Sequence, residues 1–107
     1  MSQSVYNQGD LVDCPMTFKD ESGVLVDPGH VWFNFQCGSF GVQKIEWDGS
    51  STTPATGTVW KTGTGNYTAR VDTTPFYGQF HGAGIGTGVG QAVGPISFLV
   101  AQNPLLP

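Results

Sequence analysis

The chain has 107 residues, only 11% of them charged, and eight acidic side chains against four basic ones give a net charge of −4. That length holds one domain with a single modest core. Lys19, Lys44, Lys61 and Arg70 form no basic stripe for phosphates, and no apolar run approaches the ~20 residues of a spanning helix, so neither nucleic acid nor membrane is expected as a partner.

No segment carries apolar residues at i, i+3, i+4 and i+7 over a helical length, whereas apolar and polar residues alternate along the whole chain. An all-β fold is predicted. The opening "MSQSVYNQ" lacks the positive and apolar regions of an export signal, and residues 1–8 read as a flexible arm ahead of a domain over residues 9–101. The first strand is "DLVDCPMTFK", with Val12, Cys14, Met16 and Phe18 on one face. Pro15, lacking an N–H, points to an edge or to the solvent side of the ladder. "DESG" and Asp27-Pro28-Gly29 are turns.

"HVWFNFQC" is the clearest strand, with Val31, Phe33, Phe35 and Cys37 inward and Trp32, Asn34 and Gln36 outward. "GVQKIEWDGSS" adds a strand and a turn at Asp48-Gly49, residues 50–57 form a polar loop, and "TVWK" is a short strand carrying Trp60. Tyr67, Ala69 and Val71 mark the next strand, "PISFLV" closes the domain with Ile96, Phe98 and Val100 inward, and residues 102–107 are a tail. About seven short, mostly antiparallel strands with turn signals every ~8–12 residues predict a β-sandwich. "GNYTA" resembles the tyrosine-corner segment of immunoglobulin-like domains, with Ala69 where such a domain carries its second cysteine, so an Ig-like sandwich is expected.

"GAGIGTGVGQAVG", residues 82–94, fits neither the G-x-G-x-x-G dinucleotide spacing nor a P-loop, since the last lysine of the chain is Lys61. As a strand it has a mostly apolar face of Ala83, Ile85, Thr87 and Val89 and a bare face of Gly82, Gly84, Gly86 and Gly88; the alternative is a wide glycine loop. Either allows close approach by a neighbour, and the bare face is expected to meet another copy of the chain.

Chemistry-bearing clusters are sparse. His30 and His81 have no nucleophile in a recognisable motif, no metal-ligand spacing occurs, and six of the eight acids, Asp10, Asp20, Glu21, Asp27, Asp48 and Asp72, sit at strand ends or turns. Neither enzyme activity nor a cofactor is expected. Cys14 and Cys37 read as buried free thiols. The residues that suit recognition are Trp32, Asn34, Gln36 and Trp60. They could form a protein interface, cover a second apolar layer, or bind a surface glycan by ring stacking and amide hydrogen bonds.

The order "YNQGDLV…MTFKDESGVLVDPGHVWFNF", "TGTGNYTARVDTTPFYGQF", "GTGVGQAVGPISFLV" resembles small Ig-like sandwich proteins encoded among the virion genes of tailed bacteriophages, over residues 6–100. Those proteins share an "xFxDxxGxLVDP" hairpin and a "TGxYxxxVDTT" segment. The glycine run after Phe80 departs from their pattern, and the family supplies no motif-defined functional residue to transfer. The resemblance implies a non-enzymatic virion protein, assembled in the host cytoplasm and released by lysis. Its expected role is a capsid decoration (cement) protein that binds the major capsid protein and copies of itself. A head–tail connector or tail accessory protein is the alternative within the virion, and a carbohydrate-binding module using Trp32 and Trp60 is the alternative outside it.

Overall fold

In the computed structural model, which describes residues 4–88, 91–92 and 96–105, no helix occurs among the described residues. The strands are β1 (Val5–Asn7), β2 (Leu11–Lys19), β3 (Val31–Cys37), β4 (Gln43–Glu46), β5 (Val59–Gly63), β6 (Asn66–Asp72), β7 (Gly78–Gly86), β8 (Gln91–Ala92) and β9 (Ile96–Ala101). They form a five-stranded sheet ordered β1-β9-β7-β3-β4 and a four-stranded sheet ordered β5-β6-β2-β8. The β1/β9 pair is parallel and the other strand pairs are antiparallel.

Alternation decides which side chains meet between the sheets. Val12, Cys14, Met16 and Phe18 of β2 join Tyr67, Ala69 and Val71 of β6 on one side; Val31, Phe33, Phe35 and Cys37 of β3 join Phe80, Phe98 and Val100 on the other. Four of the rings lie nearly parallel in a row, with Phe80 and Phe98 centroids 4.2 Å apart and Phe35 and Phe80 centroids 5.1 Å apart. Both cysteines are buried and free, and burial, with Asp13 adding to it, pushes the Cys14 thiol up to about 12.

Three expectations need correction. The first concerns the N-terminal arm: Val5–Asn7 is a strand, because Tyr6 turns its ring edge-on to Phe98 at 4.8 Å and so covers the end of the aromatic row. Thr73, fully buried, fastens the turn that follows. Its hydroxyl donates to the Asp10 carbonyl at 2.7 Å and accepts the Gly9 N–H at 2.9 Å. The tail begins tethered too, since the Asn103 N–H donates to Gln8 Oε1 at 3.1 Å.

The second is the tyrosine corner. Tyr67 stands within β6 beside β2, and its hydroxyl reaches the Asp27 carboxylate at a long 3.4 Å instead of a nearby backbone group.

The third is the glycine face. Gly82, Gly84 and Gly86 pair with Phe35, Phe33 and Val31 and point into the sandwich. A Cβ on Gly82 would overlap the Phe33 ring, one on Gly84 would lie 2.5 Å from Met16 Cγ, and one on Gly86 would lie 2.6 Å from Pro28 Cγ. The missing side chains make room for large ones inside the domain, so these glycines are unavailable to another chain. Gly88 lies beyond β7 at a φ of 96°, a turn conformation that favours glycine. Val89, Gly90 and Gly94 lie outside the described residues.

The sheet edges are partly closed. The Lys61 N–H on the outer side of β5 donates to the Ser51 carbonyl at 2.9 Å, a bridge joins Trp47 to Val59, and the Asn7 N–H on β1 donates to Asp10 Oδ2 at 2.9 Å. Occupied edge groups disfavour pairing with a foreign strand.

Candidate functional site

With the inward positions of β3 filled by the core, Trp32, Asn34 and Gln36 stand on the outer face of the five-stranded sheet, as expected from alternation. The register builds three rows across that face. Trp32 lies between Ile85 of β7 and Glu46 of β4, Asn34 between Ala83 and Lys44, and Gln36 beside His81, which has Ser97 of β9 on its far side. The face therefore grades from an aromatic and aliphatic row to a row of amide, imidazole and hydroxyl groups.

Lys44 leans over Trp32, its ammonium 4.9 Å from the ring centroid, and its Nζ lies 2.7 Å from Glu46 Oε1. The hydrogen bond from Lys44 holds the Glu46 carboxyl below its usual value. The side-chain amides of Asn34 and Gln36 make no hydrogen bond among the described residues. They border a shallow depression of about 290 Å³ with His81, Ala83 and the exposed Val42.

Several acids elsewhere are committed to internal bonds. Asp27 accepts from Lys61 Nζ and from the Gly65 N–H, both at 2.8 Å, and these bonds, Lys61 first, hold its carboxyl below the usual range. Asp48 accepts the N–H groups of Ser50 and Ser51 at 2.8 and 2.7 Å, and these two bonds lower its pKa. The Thr74 hydroxyl, at 2.6 Å, and then the Thr74 N–H, at 2.9 Å, do the same for Asp72. Asp20 Oδ1 closes its turn by accepting from Ser22 and Val24. These acids staple loops. Among the described residues no three His, Cys, Asp or Glu side chains come together in a way that could hold a metal ion.

Trp60 is placed differently from Trp32. It alternates with the core residue Val59 and so faces outward from the other sheet, which puts the two tryptophans on opposite outer faces. There Arg70 forks onto Asp13 at 2.7 and 3.2 Å and carries its guanidinium 5.1 Å from the Trp60 ring centroid, and Trp60 is only 4% exposed. The expected grouping therefore divides. Trp32, Asn34 and Gln36 share one open surface, Trp60 is covered on another, and three of the glycines are inside. Ala83, Ile85 and His81 join the surface through the β3/β7 register. Alternation along β7 could have shown that they share a face, but not which face.

This surface offers contact area and hydrogen-bonding groups. Compared with protein-family models, curated proteins and solved structures, the chain matches none of them.

Proposed function

We propose that the chain is an Ig-like, non-enzymatic structural protein of a tailed-phage virion. In this reading it is a decoration protein that sits on the capsid exterior and stabilises the head. It assembles through the outer face of the five-stranded sheet, against the capsid protein or a copy of itself.

The strand order supports the Ig-like part. Strands β2, β6 and β5 neighbour one another as B, E and D do in an immunoglobulin sandwich, and β4, β3, β7 and β9 follow the order C′, C, F and G. The virion part rests on the sequence resemblance. The residues that carry that resemblance have structural work in the fold: Asp20 and Asp27 fasten the hairpin and its neighbours, and Thr73 fastens the turn before β2.

The observation that carries the binding reading is the contrast in commitment. Asn34 and Gln36 are unspent beside Trp32, Ala83 and Ile85, whereas Asp13, Asp27, Asp48 and Asp72 are engaged in internal bonds. Burying an unpaired amide is costly, so groups left open on a half-buried face suit a partner that supplies the missing bonds. The carbohydrate reading keeps Trp32 but finds Trp60 covered.

The test is re-association. Purified chain is added to particles stripped of it and pelleted with them, as wild type and as Asn34→Lys. Wild-type co-sedimentation with loss in the variant is the expected result. Equal binding by both would refute the choice of face.

A further inference from the structure

Among the partners such a surface could take, we infer that the outer face of the five-stranded sheet seats against the same face of a second copy of this chain, in a symmetric dimer. This rests on the reading that the face is the adhesive one, and it names the partner.

Charge is the first reason. Each copy carries a net charge of −4, so two copies approach most easily where neither presents net charge. On this face the charged residues placed by the register are Lys44 and Glu46, already joined at 2.7 Å. The remaining acids are elsewhere: Asp13 and Asp72 on the outer face of the other sheet, Asp20, Glu21, Asp27 and Asp48 in loops, and Asp10 in the turn before β2. A strongly charged partner would leave its own charge unpaired against this surface.

Self-complementarity is the second. A patch that meets itself about a two-fold axis must satisfy its own groups. A charged residue fails that test against its like, but an amide, an imidazole and a hydroxyl can each both donate and accept. Asn34 and Gln36 are of this kind and make no bond among the described residues, Ser97 already holds His81 and Gln79 beside them, and Trp32, Ala83 and Ile85 supply apolar contact.

Size sets the strength. Five strands about 4.8 Å apart, averaging about six residues each, make a footprint of roughly 500 Å² per copy. That is below the ~800 Å² per partner of a standard interface, so the dimer is weak, with a Kd in the micromolar range. Added salt, by screening the net charge of each copy, strengthens it.

Sedimentation equilibrium of the intact chain from about 5 to 500 μM, at low salt and at about 0.15 M salt, is the test. The expected result is a monomer–dimer equilibrium that tightens with salt and weakens at least about 100-fold on Ala83→Glu, from like charges brought together. Asn34→Lys is the second variant, and unchanged melting curves show that both fold. A chain still monomeric at the highest concentration, a dimer weakened by salt, or a dimer indifferent to both variants overturns the proposal. The two readings fail separately. A monomer that rejoins stripped particles unless Asn34 is Lys loses the dimer and keeps the face, whereas Asn34→Lys binding particles like wild type removes the face and the dimer with it.

Discussion

Replacing Gly84 and Gly86 together by valine should strongly destabilise the domain itself, not merely separate copies of it. Neither glycine has a positive φ, so the strand backbone accepts a β-branched residue, and strand propensity returns up to about 1 kcal/mol at each site. Space decides against it. The new Cβ atoms fall 2.5 Å from Met16 Cγ and 2.6 Å from Pro28 Cγ, where ordinary contact needs about 3.5–4 Å. Met16 can swing partly aside, but the Pro28 ring cannot. Overpacking costs about 1–3 kcal/mol for each intrusion, and valine brings two further methyls, so about 3 kcal/mol per site less the propensity gain leaves a net loss of about 4 kcal/mol. A domain of this size has about 5–15 kcal/mol in total. The melting temperature, followed by far-UV circular dichroism, should fall by at least about 15 °C. Gly84→Ala alone should cost about 1 kcal/mol because methionine yields. A double variant that melts within about 2 °C of wild type would refute the inward placement of the glycine row.

Other outcomes follow from the polar bonds and the thiols. Asp27, Asp48 and Asp72 have folded pKa values below the unfolded carboxylate value of about 4, so their contribution to stability is complete above that value and is lost as pH falls below it. The urea midpoint should therefore drop between about pH 5 and pH 2, less steeply in Asp27→Asn; equal midpoints at the two pH values would contradict this. Thr73→Val removes the buried hydroxyl that binds the Gly9 N–H and the Asp10 carbonyl and should cost about 0.5–1.5 kcal/mol while speeding amide exchange in Val5–Asn7; unchanged exchange there would show that the hydroxyl does not fasten β1. Cys14 and Cys37 should resist a thiol reagent in the folded chain and react only on unfolding, and rapid labelling of the native protein would count against their burial.

Alternation was the most legible signal. Wherever a strand carried large apolar residues at every second position, as in β2, β3 and β6, the inward set could be named residue by residue, because bulk on one side leaves a single burial choice. β7 shows the limit. Glycine has no side chain to declare a direction, and the half-buried Ala83 and Ile85 look like a core face in sequence. Only the side chains that fill its place, Phe33 from the neighbouring strand and Met16 and Pro28 from beyond the sheet, show that the bare side is the inner one. β1 was hidden by its brevity: three residues give no pattern, and its anchor, Thr73, is 63 residues from Asp10. Trp60 escaped for a related reason. Its cover depends on the Asp13/Arg70 register, a pairing across 57 residues that no local spacing announces.

The same asymmetry runs through the candidate site. Trp32, Asn34 and Gln36 were visible together because they lie on one strand, whereas their neighbours Ala83, Ile85 and His81 come from β7, and whether β3 and β7 are adjacent is a matter of topology. Among the described residues the amides of Asn34 and Gln36 make no internal bond, whereas Gln79 on the same face bonds Ser97 and the Phe98 carbonyl, and that difference becomes visible only once the strands are placed.

The central claim, that the chain is a structural component covering a phage head, is tested most directly by its copy number relative to the major capsid protein, measured by quantitative mass spectrometry of purified particles from its source. The account predicts a number comparable to that of the capsid protein. A few copies per particle would move the protein to the connector or tail, and none would contradict the virion reading altogether.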